Sequence, residues 1–214
     1  GSLKTNKTIL YRDGSVLVGP SLLLVLFYYD LVLTIWEGVV LVAVLASYVV
    51  YLIRAKVDIE DDLPEGEYRW VDIPILILGV GLIIGSAHFL VSSASDIARE
   101  FGISEWMIGI TIVAAGTSVP ELATSLVALI KGRYGISIGN LIGSDIFNML
   151  GVLGTASIIR PLTISQTDYY SLIILAVYLI FLVIFMRVGW RVTKVEGGII
   201  ILIALFRWWV VSVL

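Results

Sequence analysis

The chain has 214 residues, 59% of them hydrophobic and only 14% charged, with a formal net charge of −3, no cysteine and a mean hydropathy of +1.02. A soluble domain is about 45–50% apolar and about 25% charged, so a water-soluble globule is excluded, and the acidic balance excludes a basic nucleic-acid binder. Without cysteine there is no disulfide, zinc–thiolate site or thiol nucleophile, and what remains is an all-α polytopic membrane protein.

Apolar stretches of about 17–25 residues suffice to cross a bilayer as helices. Seven are read, at roughly 13–30, 36–53, 73–95, 105–130, 135–157, 169–187 and 195–213. The first is short and interrupted by Pro20. The longest loop, 54–72, carries Asp58, Glu60, Asp61, Asp62, Glu65 and Glu67 and is read as a solvated linker rather than a cation site. Span 73–95 holds the only histidine, His88, expected to be hydrogen-bonded within the bundle, and Asp96 beyond it is expected at the interface. Gly139, Gly143, Gly151 and Gly154 predict close helix packing in the fifth span. Leu172–Phe185 (LIILAVYLIFLVIF) is apolar on every face, which favours a helix over the alternating strands of a barrel. Trp208-Trp209 reads as an interfacial anchor.

Charge orients these spans. Eleven of the 14 Lys and Arg residues fall on the side of the N-terminus and the 54–72 loop, leaving Arg99, Arg160 and Arg207 on the other. The richer side is read as cytoplasmic, which places the C-terminus outside.

Two regions resemble each other. Asp13 and Trp36-Glu37-Gly38 open successive spans, as do Asp168 and Val195-Glu196-Gly197, and the step from Glu37 to Glu196 is read as the offset between two copies. The paired spans run in opposite senses, the signature of an inverted-repeat transporter. Counterparts of 73–157 would precede residue 1, so the expectation is a truncated or split chain lacking the first three helices of a ten-helix fold. In that division 1–54 are the last two helices of the first repeat, 55–72 the cytoplasmic linker, and 73–214 the complete second five-helix repeat.

Residues 104–154 place polar groups near mid-membrane: Thr117, Ser118, Glu121, Thr124 and Ser125 on one span, and Asn140, Ser144, Asp145 and Asn148 on the next. A carboxylate at the centre of a membrane helix costs about 2.5–3.5 kcal/mol, and no basic residue at that depth offsets it; a cation or a proton would. Pro120 lacks an N–H and clashes with the carbonyl of Gly116, which predicts a helix break at Ala115–Ser118 with carbonyls turned to a cavity. Thr117 and Glu121 share a face at i,i+4. Ser144 and Asn148 do likewise, with Asn140 extending their ridge and Asp145 one step round. Donors that are all oxygen suit hard cations such as Ca2+ or Na+ and argue against copper or zinc. Ca2+ takes about 6–8 oxygens, more than one broken helix pair supplies.

With GTSVPELATS (116–125), GNLIGSDIFN (139–148) and the lead-in GISEWMIGITIVA (102–114), the chain resembles the cation/calcium exchanger superfamily, in its prokaryotic-type sodium/calcium exchanger branch. These motifs correspond to the second of that family's two alpha repeats, and the first is not present. The resemblance implies an antiporter of a prokaryotic cell membrane that exchanges Na+ for Ca2+ by alternating access. It implies no cofactor, the two ions being transported ligands, with the lipid bilayer and the missing three-helix segment as partners. It also implies a ligand set: Glu121 as the main carboxylate bridging ion sites; Thr117 and Ser118 through hydroxyl or carbonyl oxygen; the Ala114 carbonyl; and Ser144 and Asn148. Asp145 stands where the family often has Asn, and its role is left open. The alternatives are an H+/Ca2+ or other cation exchanger, and a non-transporting fragment that assembles with a separate N-terminal piece. A serine hydrolase would need a base beside its nucleophile, and His88 lies on a separate span.

Overall fold

The computed structural model describes the backbone of residues 3–4, 7–55, 69–189, 191–192 and 194–213. Side chains are described for residue 14 and for residues 16–55, 69–185 and 195–206, except 106, 110 and 196. The acidic run of the 54–72 loop and the side chains of Asp13, Glu196, Trp208 and Trp209 lie outside what is described. The chain forms two compact units, Gly1–Ile59 with Ile142–Leu214, and Glu60–Leu141.

In the first unit, β1 (Leu3–Lys4) leads into α1 (Lys7–Phe27), and β2 (Val32–Leu33) into α2 (Ile35–Ala55). Further along the chain a π-helical segment, Phe147–Val152, continues as α8 (Leu153–Ile159). Then β3 (Leu162–Thr163) leads into α9 (Gln166–Gly189), and β4 (Arg191–Val192) into α10 (Lys194–Val213). Pro20 does not interrupt α1, contrary to expectation: the helix passes through it, and the buried Ser21 hydroxyl donates to the Val18 carbonyl at 2.7 Å. The carbonyl that Pro20 leaves without its N–H donor is that of Val16, four residues earlier, so the Ser21 bond stiffens the same turn without replacing the lost one.

Each of the first four elements recurs at one constant interval, the step from Glu37 to Glu196. β1 and β3 start at Leu3 and Leu162, α1 and α9 at Lys7 and Gln166, β2 and β4 at Val32 and Arg191, and α2 and α10 at Ile35 and Lys194. The strand pairing obeys the same interval. β1 pairs antiparallel with β4 (Leu3 opposite Val192, Lys4 opposite Arg191), and β2 pairs antiparallel with β3 (Val32 opposite Thr163, Leu33 opposite Leu162). Shifting the first ladder by this step, forward for one strand and back for the other, reproduces the second. Asp13, however, is not the positional counterpart of Asp168: α1 starts at Lys7, well before Asp13, whereas α9 starts at Gln166, just before Asp168.

Two capping boxes start the helices that follow β2 and β3. The Thr34 backbone N–H and hydroxyl donate to Glu37 Oε2 at 2.7 and 2.8 Å, and those of Ser165 to Asp168 Oδ2 at 3.0 and 2.7 Å. Each box satisfies donors that a helix N-terminus otherwise leaves bare. α1 packs on α9, and α2 on α8 and the π segment. Glycine sets the second contact. A Cβ on Gly38 would overlap Ser157 Oγ, and one on Gly154 would lie 2.9 Å from Val42 Cγ2 and 3.1 Å from the Gly38 carbonyl oxygen. Leu24, Tyr28, Leu33, Leu41, Ile146 and Leu150 form the buried core of this unit.

In the second unit α3 (Asp72–Glu100) turns at Gly102, where φ is +75°, a conformation open to glycine at no steric cost. Arg99 holds that turn: Nε donates to Glu105 Oε1 at 2.6 Å and Nη1 to Asp96 Oδ1 at 2.8 Å. Then follow α4 (Glu105–Ile108), a π-helical segment Gly109–Val113, α5 (Ala114–Thr117), α6 (Val119–Ile130) and α7 (Tyr134–Ile146), inside which the division between the units falls. α3 packs on α4, α5, α6 and the π segment between α4 and α5.

Ile35–Ala55, Asp72–Glu100, Tyr134–Ile159 and Gln166–Phe185 are long and apolar enough to cross a membrane, and the bent pair Thr111–Thr117 with Val119–Ile130 makes a fifth span. The outer two expected spans are helical too, with shorter apolar stretches, Val16–Asp30 and Gly197–Phe206. Ile75, Leu76, Ile77 and Leu78 on α3 are each more than 60% exposed, as suits a face turned to lipid. His88 is also exposed and has no hydrogen bond to the described residues, so the expected bundle contact is not made.

Candidate ion-binding site

The fourth span breaks at Ser118, the last residue of the stretch expected from Pro120; Ala115–Thr117 stay helical, and the Ala114 and Ala115 carbonyls accept hydrogen bonds within the bend instead of being left free. Thr111–Thr117 and Val119–Ile130 meet at 45°, with Ser118 between them at φ −91°, ψ −3°. Its N–H closes on the Ala115 carbonyl at 3.1 Å, a turn tighter than the α-helix. Pro120 thus sits at the start of a new helix rather than inside an old one, where its missing N–H costs nothing.

Glu121 falls in the first turn of α6. The positive end of the helix dipole favours a carboxylate there. Its Oε2 is buried and has no hydrogen-bond partner among the described residues. Buried polar atoms are nearly always paired, so this carboxylate oxygen beside a helix break is a candidate to bind a cation or a proton. Thr117 and Ser118 are exposed, and the Thr117 hydroxyl donates to the Ala114 carbonyl at 2.9 Å. Ala114, Thr117, Ser118 and Glu121 therefore share one bend in the second unit. Among the described residues no three His, Asp or Glu side chains stand close enough to hold a metal, so this bend offers one carboxylate with hydroxyl and carbonyl oxygens.

Ser144, Asp145 and Asn148 lie in the first unit. Ser144 is half-buried near the end of α7, Asp145 beside it is exposed, and Asn148 is exposed within the π-helical segment. The two π-helical segments flank the polar motifs: one ends at Val113, directly before Ala114, and the other carries Asn148. Such bulges occur frequently at functional sites. Hydropathy carries no signal for them, and they were not foreseen.

The sequence places Asn140 as an extension of the Ser144–Asn148 ridge. In the structure its Nδ2 reaches across to α6 and donates toward the Glu121 carbonyl (3.1 Å), Thr124 Oγ1 (3.0 Å) and Ser125 Oγ (2.9 Å). Polar pairs on neighbouring apolar helices, Thr124 and Ser125 against Ser137 and Asn140, were the available clue. Of the glycines expected to allow close packing, Gly151 and Gly154 do so, whereas a Cβ on Gly139 or Gly143 would meet nothing within 4 Å.

The family described as sodium/calcium exchanger protein matches residues 72–213. A protein of Alkalimonas amylolytica named antiporter CaxA is 35% identical over 205 residues, which cover 89% of this chain and 64% of that protein. The sodium/calcium exchanger MaX1 of Methanosarcina acetivorans is 45% identical over 92 residues, 43% of this chain and 26% of the relative. This chain thus spans less than two thirds of the length of either relative. Among solved structures, the sodium-calcium exchanger NCX_Mj soaked with Na+ and Sr2+ superimposes with a TM-score of 0.75 over 96% of this chain and 67% of that one, at 24% identity, a likeness of fold. An apolar helical chain with a proline-bent span, an orphaned carboxylate at the bend and a family match across residues 72–213 belongs to the sodium/calcium exchanger protein family.

Proposed function

We propose that the chain carries ion-binding elements of a secondary antiporter that exchanges Na+ for Ca2+ across a membrane by alternating access. The observation that carries this reading is the buried, unpartnered Oε2 of Glu121 in the first turn after the bend. Glu121 is the shared ligand, and Thr117, Ser118 and the Ala114 carbonyl are its neighbours at the bend. Ser144 and Asn148 contribute from the following span, with Asp145 beside them. Because Ca2+ and Na+ would use the same carboxylate, they exclude one another, and that competition couples the two gradients. Oxygen donors without sulfur or imidazole suit both ions.

The recurrence of β1 to α2 as β3 to α10, element for element, supports the organisation read from the sequence: 1–54 as the end of a first repeat, 55–72 as a cytoplasmic linker and 73–214 as a second repeat. In this reading the active protein includes a three-helix counterpart of 73–157 that completes the coordination shell. The distribution of Lys and Arg supports a cytoplasmic 54–72 loop and an outward C-terminus in a prokaryotic cell membrane.

The test is 45Ca2+ uptake into Na+-loaded liposomes containing the full-length parent. Uptake should follow the Na+ gradient, and Glu121→Gln should lower it more than about tenfold, since a neutral amide forfeits the charge-assisted bond to the ion. Uptake that follows a pH gradient without Na+ would replace Na+ by H+ as the coupled ion. Uptake undiminished in Glu121→Gln would refute the ligand assignment.

A further inference from the structure

We infer that Asn140 is a positioning residue that aims the Glu121 carboxylate, an inference that rests on the reading of Glu121 as an ion ligand. The first turn of α6 has weak support on its upstream side. The helix before it ends at Thr117, the axis turns by 45°, and Pro120 has no N–H to bond backwards. The turn is held from the side instead. Asn140 Nδ2, on α7, lies within 3.1 Å of the Glu121 carbonyl oxygen, Thr124 Oγ1 and Ser125 Oγ.

The surrounding hydrogen bonds fix which end of the amide faces α6. The Thr124 hydroxyl donates to the Pro120 and Glu121 carbonyls at 2.9 and 3.0 Å, and the Ser125 hydroxyl to the Ser137 carbonyl at 3.3 Å. Both hydroxyl protons are spent, so both oxygens face Asn140 as acceptors, and the Glu121 carbonyl is an acceptor by nature. Three acceptors call for a donor, and only the NH2 end of the amide supplies one. Asn140 therefore ties the backbone of Glu121 itself to α7, one helical turn ahead of Ser144. No hydrogen bond at Oε2 sets the direction of the carboxylate; the clamp on its peptide fixes the backbone from which it projects. Loss of the amide frees the turn to roll about the bend, and the carboxylate leaves the position in which an ion meets all its ligands at once.

The test compares wild type, Asn140→Ala, Asn140→Ser, Asn140→Gln and Glu121→Gln in the full-length protein, with initial 45Ca2+ uptake measured against Ca2+ and against competing Na+. Removing the donor should weaken the apparent affinity for both ions about tenfold, the worth of one to two hydrogen bonds, with the maximal rate per folded protein changed less. Asn140→Gln, which keeps the amide on a longer arm, should recover part of that loss, and Asn140→Ser, which keeps a shorter donor, should fall between Gln and Ala. Should the alanine variant fail to fold, the Gln and Ser variants still test the ranking. Unchanged affinities with a lower yield of folded protein would make Asn140 a packing residue and overturn the proposal while leaving the Glu121 reading intact. Transport that survives Glu121→Gln would remove the ligand reading, and the positioning role with it.

Discussion

Gly116 is the most closely confined residue at the bend, and Gly116→Ala is the substitution whose effect can be worked out most directly. Gly116 is buried where α5 meets α3. A Cβ there would overlap Val91 Cγ2 and stand 3.3 Å from Val91 Cβ and 3.7 Å from Cγ1. Val91 is β-branched and helical, and such a side chain has one strongly preferred rotamer, so it cannot swing clear. The helices must separate or the valine must adopt a poor rotamer. Overpacking of this kind costs about 1–3 kcal/mol, which in a chain of this size lowers the unfolding temperature by about 2–12 °C. Val91→Ala removes the obstructing methyls, so the double variant should be more stable than the sum of the two single effects predicts, by about 1 kcal/mol or more. Thermal unfolding in detergent, followed by tryptophan fluorescence, measures all three variants. If Gly116→Ala unfolds at the wild-type temperature, or if Val91→Ala adds its own cost in full, steric confinement is not what selects glycine there.

Gly154→Ala should destabilise by a similar about 1–3 kcal/mol, because its new methyl would meet the Gly38 carbonyl oxygen at 3.1 Å as well as Val42, and backbone cannot yield as a side-chain tip can; the same unfolding assay checks it. Thr34→Ala and Ser165→Ala each remove the cap of a spanning helix and should each cost about 1 kcal/mol, with matching losses because the two boxes make the same bonds. Wild-type stability in either variant would show that the carboxylate alone caps the helix.

The parts of the fold that depend on local chemistry were legible in the sequence. Helix in all seven apolar stretches follows from the bilayer's demand that backbone groups be satisfied internally, and the bend at Ser118 follows from Pro120 lacking an N–H. The misreadings concern what neighbouring elements supply. Pro20 has the same covalent chemistry as Pro120, yet α1 runs through it; a proline alone does not decide between a tolerated kink and a new helix start. Gly139 and Gly151 look alike in sequence, but only the second meets another helix, Leu45 Cδ2 lying 3.0 Å from its would-be Cβ. The sequence places Asn140 on the Ser144–Asn148 ridge but does not show its clamp on α6, because that role depends on three acceptors 15 to 19 residues away in sequence, a distance at which helical periodicity carries no information.

The two short ladders have a mechanical consequence. α1 and α9 run side by side, and the strand before each helix pairs with the strand that follows the other. The pair is stapled at both ends, and a slip of one residue at either staple would break its hydrogen bonds and turn its side chains to the opposite face. α1 and α9 therefore behave as a strut of fixed length, and any rearrangement within this unit has to take place around that strut rather than along it.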